Sequence, residues 1–467
     1  MLKHFTTLLL LAAFAGWLPA QENAPTHEEN IRKIYNLALS QQQGYKWLKE
    51  LTNIGPRFAG TPQADSAVFY FKAICDSLGF ETQLQEVTVP VWKRGPQETA
   101  AYSFGTGALK IGLKVTALGG SVPTPPEGLK GQVVEITDFN QLDELDLKDK
   151  IAFFNIPMNP TYIATFYAYG NAVKQRWAGA VEASKRGAKG VIIRSLSSSI
   201  NDFPHTGSMT YEGAPTKIPA AALSTLGAEQ LSQALKSAGN SLNFEYQINS
   251  SWHDSTTSYN LVADIRGSEK PDEIILAGGH IDSWDLGTGA HDDGAGSMHA
   301  LEAIYLLKKL NLPIKRTLRL VLFMNEEFGL TGARTYARLA KAEGVNHVIA
   351  IESDGGGFSP RGISMVAPDT VVAQIRGLRD LLEPYGIHQF STGGAGADIN
   401  QIAAEDIILI GLRPDSHRYF EVHHSARDVF ENVNARELEM GSATLASIIY
   451  LLDFYDITVA SAPLSHR

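Results

Sequence analysis

Between residues 277 and 304 the chain reads AGGHIDSWDLGTGAHDDGAGSMHALEAI, which gathers His280, Asp282, Asp285, Asp292 and Asp293 into one glycine-punctuated stretch. Imidazoles and carboxylates together are the donor set of a divalent cation, zinc above all. A ring nitrogen of His280 offers one donor, and Asp282, two residues on, can accept from the other ring nitrogen and hold it in place. Asp292 opens the run DDGAGS, whose glycines let the backbone turn sharply enough to aim a carboxylate back at the site. Later segments add Glu326 and Glu327 in NEEFGLTGA, Asp354 in IESDGG and His424 in EVHHSARD. Adjacent glutamates cannot point the same way along a strand end, so one suits a metal and the other a proton. Two zinc ions balance the charges of Asp292, Glu327, Asp354 and a shared hydroxide, whereas one zinc would leave buried carboxylates uncompensated. Cys75 is the only cysteine, so sulfur takes no part and the chain forms no intramolecular disulfide.

The elements that carry these residues can be read from hydrophobic patterning. From residue 260 onward, runs of continuous apolar character alternate with helical periodicity. EIILAGG precedes a helix from about 293, TLRLVLFM precedes a helix from about 330, HVIAIES follows, and ELEMGSATLASIIYLLDFY closes the chain as a helix. That alternation predicts an α/β fold, a mostly parallel twisted sheet covered by helices on both faces. His280, the Glu326–Glu327 pair and Asp354 then fall just beyond three strand ends, where open α/β sheets build their sites. Upstream, residues 27–52 and 61–79 have helical spacing and ETQLQEVTVPVW is strand-like. From about 112 the texture shifts to short β-rich runs such as GQVVEITD and KIAFFNIP, a helix-like AVEASKRGAKGVIIRS, and IPAAALSTLGAEQLSQAL. The expected organisation is a catalytic domain over 21–111 and 247–467, interrupted by a β-rich insert over 112–246.

At 467 residues the chain calls for two to three domains, and 44% hydrophobic residues against 19% charged ones suit a large core. A formal net charge of −10 argues against nucleic acid as a partner. The opening MLKHFTTLLLLAAFAGWLPAQ has one lysine, a short apolar run and Ala20 before Gln21, the pattern of a cleaved signal peptide over 1–20. It is too short and too thinly flanked for a stable membrane anchor. Export to a periplasmic or extracellular space is the expectation.

The stretches GGHIDSWDLGTGAHDDGAG, NEEFGLTGA, IESDGG and HHSARD, in that order, resemble the co-catalytic di-zinc exopeptidases of the aminopeptidase family. The insert resembles that family's protease-associated domain. The resemblance implies two zinc ions per chain, one held by His280 and Asp354, the other by Glu327 and His424, with Asp292 bridging them. It implies Asp282 as the group that orients His280 and Glu326 as the general base. His424 is preferred to His423 because it stands four residues before Asp428, as in the family's H-x-x-x-D; Val429 follows where many relatives carry Thr. Hydrolysis of small unblocked peptides, dipeptides foremost, through a hydroxide shared by the zincs is the implied activity. Aminopeptidase action on longer peptides is the alternative, with a non-catalytic binding protein and a glutaminyl cyclase on the same fold behind it. Tyr419 is the candidate for steadying the reacting oxygen, Asp398 for a substrate-side loop, and Arg413, Arg418 or Arg427 for a free carboxylate. Trp284 and Asp285 either line the cleft or pack their loop. The insert, or the partner in a homodimer, is expected to cap the cleft.

Overall fold

The structure is a computed structural model that describes residues 25–105, 108–238 and 242–460. The signal peptide expected over 1–20 lies outside them. The first helical region divides into α1 (His27–Gln41) and α2 (Gln43–Asn53), because Gln42 takes a left-handed conformation with φ +48°. A capping box of Thr26 and Glu29 starts α1, and α3 (Pro62–Ser77) starts on a Thr61 cap followed by proline in the first turn.

The large sheet is built from β1 (Glu81–Lys93), β2 (Ser251–Ile265), β3 (Lys270–His280), β4 (Arg316–Phe323), β5 (Asn346–Glu352), β6 (Pro360–Val366), β7 (Gln389–Thr392) and β8 (Ile408–Pro414). Their order across the sheet is β1-β2-β4-β3-β5-β8-β6-β7. The centre, β4-β3-β5-β8, is parallel, while β1, β2 and β6 run antiparallel to a neighbour. Strand order reverses at β3, with β4 on one side and β5 on the other. That reversal opens a crevice at the C-terminal strand ends.

Side chains alternate across these strands and both faces are covered. Ile275 and Ala277 of β3 pack with Leu318, Leu320 and Leu322 of β4 beneath α1–α3, α4 (Gly296–Lys309) and α6 (Ala435–Phe454). Ile274 and Leu276 join Val321 and Phe323 on the opposite face, against Ala333, Tyr336 and Ala340 of α5 (Thr331–Glu343). Each fully buried aliphatic side chain is worth about 1.5–3 kcal/mol, so the strand ends that carry polar groups are rigidly anchored.

Residues 94–250 hang between two paired strands: Lys93 at the end of β1 lies opposite Ser251 at the start of β2. They form a four-stranded antiparallel sheet ordered Ile111–Leu113, Glu98–Phe104, Leu242–Ile248, Leu129–Gly131. A second sheet of five strands is ordered Val115–Ala117, Ala220–Leu223, Gly190–Arg194, Ile151–Phe154, Val133–Ile136, parallel except at its first pair. The sequence texture put the boundary at 112, and the structure corrects it. Glu98–Phe104 pairs with Leu242–Ile248 and so belongs to the inserted unit. AVEASKRGAKGVIIRS is a helix only at first: Gly179–Lys185 ends at Gly187, φ +77°, and Gly190–Arg194 is a buried strand.

Candidate functional site: a carboxylate and imidazole cluster beneath the inserted unit

His280 is the last residue of β3, and its main-chain N–H donates to Asp293 Oδ2 at 3.1 Å. Asp293 Oδ1 accepts from the Gly296 N–H at 3.0 Å, so one carboxylate ties the first residue of α4 to the end of β3. Asp292, joined to Asp293 by a cis peptide, lies in the turn that leads into α4. Asp428 braces that turn by accepting from the N–H groups of His291 and Asp292, at 2.6 and 3.1 Å. Beneath it the buried Arg57 donates to the carbonyls of Ile281, Thr288 and Gly289. Neither Arg57 nor the bracing role of Asp428 stood out in the sequence; the loop NIGPRFAGT had no charged neighbour to mark it.

Around this frame the candidate ligands converge. His280 Nε2 lies 3.3 Å from Asp292 Oδ1 and 3.7 Å from Asp354 Oδ1. His424 Nε2 lies 3.3 Å from Asp292 Oδ2 and 3.0 Å from Glu327 Oε2. His423 is farther, 3.9 Å from Asp292 Oδ2. Although near one another, His280 Nε2, Asp292 Oδ2 and Glu327 Oε1 lack a well-directed hydrogen bond. Atoms that approach without aiming at each other share a third point. Donors on one tetrahedral zinc, at bonds of about 2.0–2.1 Å, stand roughly 3.3 Å apart, so the residues present fit a metal. Two overlapping groups can hold one: His280, Asp292 and Asp354, and Asp292, His423 and His424, with Glu327 beside the latter.

The outer contacts orient these donors. Trp284 Nε1 donates at 2.6 Å to Glu327 Oε2, the same oxygen that lies 3.0 Å from His424 Nε2, and so fixes that carboxylate beside the cluster. His280 Nδ1 lies 3.0 Å from the main-chain carbonyl of Asp282 and 3.8 Å from its carboxylate. The carbonyl is the nearer contact of the ring, and Asp282 Oδ1, within ion-pair distance of it, also accepts from the Glu326 N–H at 3.1 Å. His424 takes φ +59°, and its Nδ1 lies 3.3 Å from the carbonyl of Thr206 in the inserted unit.

Burial disfavours charge throughout this cluster, and the neighbours decide which groups resist it. Burial lowers the pKa of His280, yet its bonds to Asp292 and Asp354 hold it well above the ordinary range. His424, equally buried, is held at about 9 by Glu327 and Asp292. Asp292 withstands burial because His280 and His424 bond to it, and stays well below the carboxylate range. Burial, with Asp354 and Glu327 nearby, drives Glu326 well above it. What the cluster lacks is positive charge, which divalent cations supply.

The cluster floors a cavity of about 400 Å³. Asp292, Glu326, Glu327, Asp354, His423, His424 and Tyr419 line it from the large-sheet unit, and Phe166, Tyr169, Arg176 and Ser208 close it from the inserted unit. Tyr419 stacks on Phe166 with ring centres 5.5 Å apart, and burial among carboxylates raises its pKa far above the ordinary value. The other substrate candidates are not brought to this cavity. Arg413 donates to Ser364 Oγ at 2.7 Å and to the Gly394 carbonyl. Arg418 pairs with Glu437 at 2.7 Å, and Arg427 lies 3.8 Å from Glu421. Asp398 is buried behind the cluster, beside Glu352, with neither carboxylate oxygen hydrogen-bonded. The cations that do line the cavity are Arg176, buried, and Arg334, exposed at the rim. Sequence reasoning passed over Arg176, which sits in QRWAGA, more than a hundred residues before any site motif.

A buried imidazole–carboxylate cluster at the switch point of an α/β sheet, opening on a pocket of peptide size, defines a metallo-hydrolase. Residues 260–449 match the sequence profile of peptidase family M28. Carboxypeptidase Q of Bos taurus is 34% identical over 463 residues, which cover 96% of this chain and 95% of the bovine one. Carboxypeptidase Q of Homo sapiens is likewise 34% identical, over 428 residues covering 90% and 88%. The crystal structure of a peptidase M28 precursor from Shewanella amazonensis superposes with a TM-score of 0.87 at 34% identity, covering 94% of this chain and 99% of that one. A zinc aminopeptidase from Bacillus subtilis shares the fold with a TM-score of 0.62 at 20% identity, covering 91% and 98%. The chain belongs to peptidase family M28, and it is a metallo-exopeptidase similar to carboxypeptidase Q.

Proposed function

We propose that the chain hydrolyses the peptide bond of small unblocked peptides, dipeptides foremost, with two zinc ions as cofactor. His280, Asp354 and Asp292 would hold one zinc, and Asp292, Glu327 and His424 the other. Bound there, zinc lowers the pKa of the attacking water and polarises the scissile carbonyl. Glu326, half-buried at the cavity wall, takes the proton from that water and returns it to the leaving amine. Asp282 steadies the Glu326 main chain. The Tyr419 hydroxyl, which keeps its proton throughout the working pH range, donates to the developing oxyanion.

The observation that carries the size and terminus preference is Arg176. Its guanidinium is buried in the cavity wall, and among the described residues no carboxylate lies within ion-pair distance. Its Nη1 is 3.4 Å from His424 Nδ1, a nitrogen that donates to Thr206 O. Gly207, at φ +137°, leaves the room: a side chain there would meet the guanidinium at 2.6 Å. A buried cation without a counter-ion is costly, and a substrate's terminal carboxylate supplies one. In a dipeptide that carboxylate lies one residue from the scissile carbonyl, so a short substrate would present it to an arginine that lines the same cavity as the cluster.

The inserted unit acts as a lid of the protease-associated kind, limiting substrate length. No described helix is long and apolar enough to cross a membrane, and the leader over 1–20 supports export. Metal analysis combined with hydrolysis of a dipeptide, its N-acetyl form and its C-terminal amide tests the reading. Two zincs per chain and cleavage of the unblocked dipeptide alone are expected. Cleavage of longer peptides and of the amide at equal rates would replace it with an aminopeptidase.

A further inference from the structure

Arg94 stands between β1 and the first strand of the inserted unit, where two chains of contacts meet. It donates to both carboxylate oxygens of Asp285, each at 2.9 Å, and to Glu98 at 2.8 Å. It also donates to the Thr116 hydroxyl at 2.6 Å, the Ala117 carbonyl at 2.8 Å and the Thr206 hydroxyl at 3.2 Å. The side chain is 11% exposed. Only arginine offers five donors in a rigid fork able to meet so many acceptors at once.

One chain of contacts runs through Asp285 to its neighbour Trp284, whose indole donates to Glu327. The indole packs against Gly119 of the inserted unit, where a Cβ would stand 2.0 Å from the ring. The other runs through Thr206. Its N–H donates to the His424 carbonyl at 2.9 Å, its carbonyl faces His424 Nδ1 at 3.3 Å, and His205 pairs with Ser425 in an antiparallel bridge. Glu327 and His424 are thus both oriented by groups that Arg94 fastens. The remaining donors are set from within the large-sheet unit: His280 by Asp293 and the Asp282 carbonyl, and Asp354 just beyond the end of β5.

We propose that Arg94 is a positioning residue for the Glu327–His424 metal position, so that the inserted unit helps build one position and not the other. The inference rests on the two-zinc reading above. Outer partners of metal ligands typically contribute 10–100-fold in affinity, and that selective loss is the expected result for Arg94→Lys and Asp285→Asn.

The experiment titrates purified wild type and variants with a zinc-selective chelator, counting metal per chain and recording the absorption of the cobalt-substituted forms. Far-UV circular dichroism of the metal-free proteins reports folding. Arg94→Lys keeps charge and bulk; should it fail to fold, Thr206→Val, which removes one hydroxyl, and Asp285→Asn decide. Expected is wild type with two metals and variants that keep one at wild-type affinity while the other weakens 10–100-fold. Variants that hold both metals unchanged, or lose both in parallel, overturn the role of Arg94. A wild type that binds one metal or none overturns the two-zinc reading instead.

Discussion

Replacing Arg176 by methionine tests the terminus reading, because the change removes a charge while filling much the same space beside Tyr169 and Gly207. The guanidinium is buried and has no carboxylate partner among the described residues. A substrate carboxylate would therefore form a desolvated pair with it, and removing one member of such a pair costs 2–5 kcal/mol. At about 1.4 kcal/mol per decade, kcat/KM for an unblocked dipeptide should fall about 30-fold to several thousandfold. The control lies in the substrate. A dipeptide amide has no charge for Arg176 to meet, so wild type should lose a similar factor on it and the variant almost nothing further. Four kcat/KM values, two enzymes on two substrates, close a cycle whose coupling isolates the pair. Metal content of both proteins must match, since Arg176 also lies against His424. If Arg176→Met lowers acid and amide substrates by the same factor, the guanidinium does not read the carboxylate and the reasoning is wrong.

Glu326→Gln should keep full metal content, because Glu326 is not placed among the ligands, while turnover falls about 100- to 10,000-fold; metal analysis beside a stopped assay checks both. His424→Ala should halve the metal bound and His423→Ala should leave it unchanged, given 3.3 against 3.9 Å to Asp292 Oδ2; equal losses would assign the ligand differently. Glu302 of α4 and Glu439 of α6 form a buried carboxyl pair outside the cavity lining, where burial and then Glu302 push Glu439 up to about 10. A folded pKa above the unfolded one stabilises fully below about pH 4.3, and that contribution fades as pH climbs toward 10. Glu302→Gln should therefore raise Tm by a few degrees at pH 9 and leave it unchanged near pH 4; an equal shift at both, read by scanning calorimetry, would exclude a shared proton.

The strand ends were legible because parallel strands buried on both faces read as unbroken apolar runs, and His280, Glu326, Glu327 and Asp354 follow such runs directly. Asp292 was legible for a different reason, the glycines that surround it. Long-range partners were not. Thr206 is 218 residues from His424 in sequence, and Arg94 is 191 from Asp285; no local pattern links them. Which of Arg413, Arg418 and Arg427 would reach a substrate was not legible either, since each side chain's direction is set by partners such as Ser364 for Arg413 and Glu437 for Arg418. The interval from His280 to Asp282 was informative, but no local pattern signalled that the main-chain carbonyl would lie nearer the ring than the carboxylate, 3.0 against 3.8 Å. The insert's true start was hidden because Glu98–Phe104 continues the strand-like texture of β1.

The attachment of residues 94–250 has an engineering consequence. Lys93 and Ser251 face each other across a single rung of antiparallel sheet, so a short hairpin turn could join them without a gap in the scaffold. Such a shortened chain would keep its main core, since α1–α3 pack with the large sheet. It would also bare the reaction chamber to solvent and release the back of His424, whose Nδ1 leans on Thr206. Topology makes the unit detachable, yet the proposed metal site leans on it, through Thr206 against His424 and Gly119 against Trp284. Graft or deletion studies on this scaffold should therefore carry the Thr206 and Arg94 contacts along with the fold.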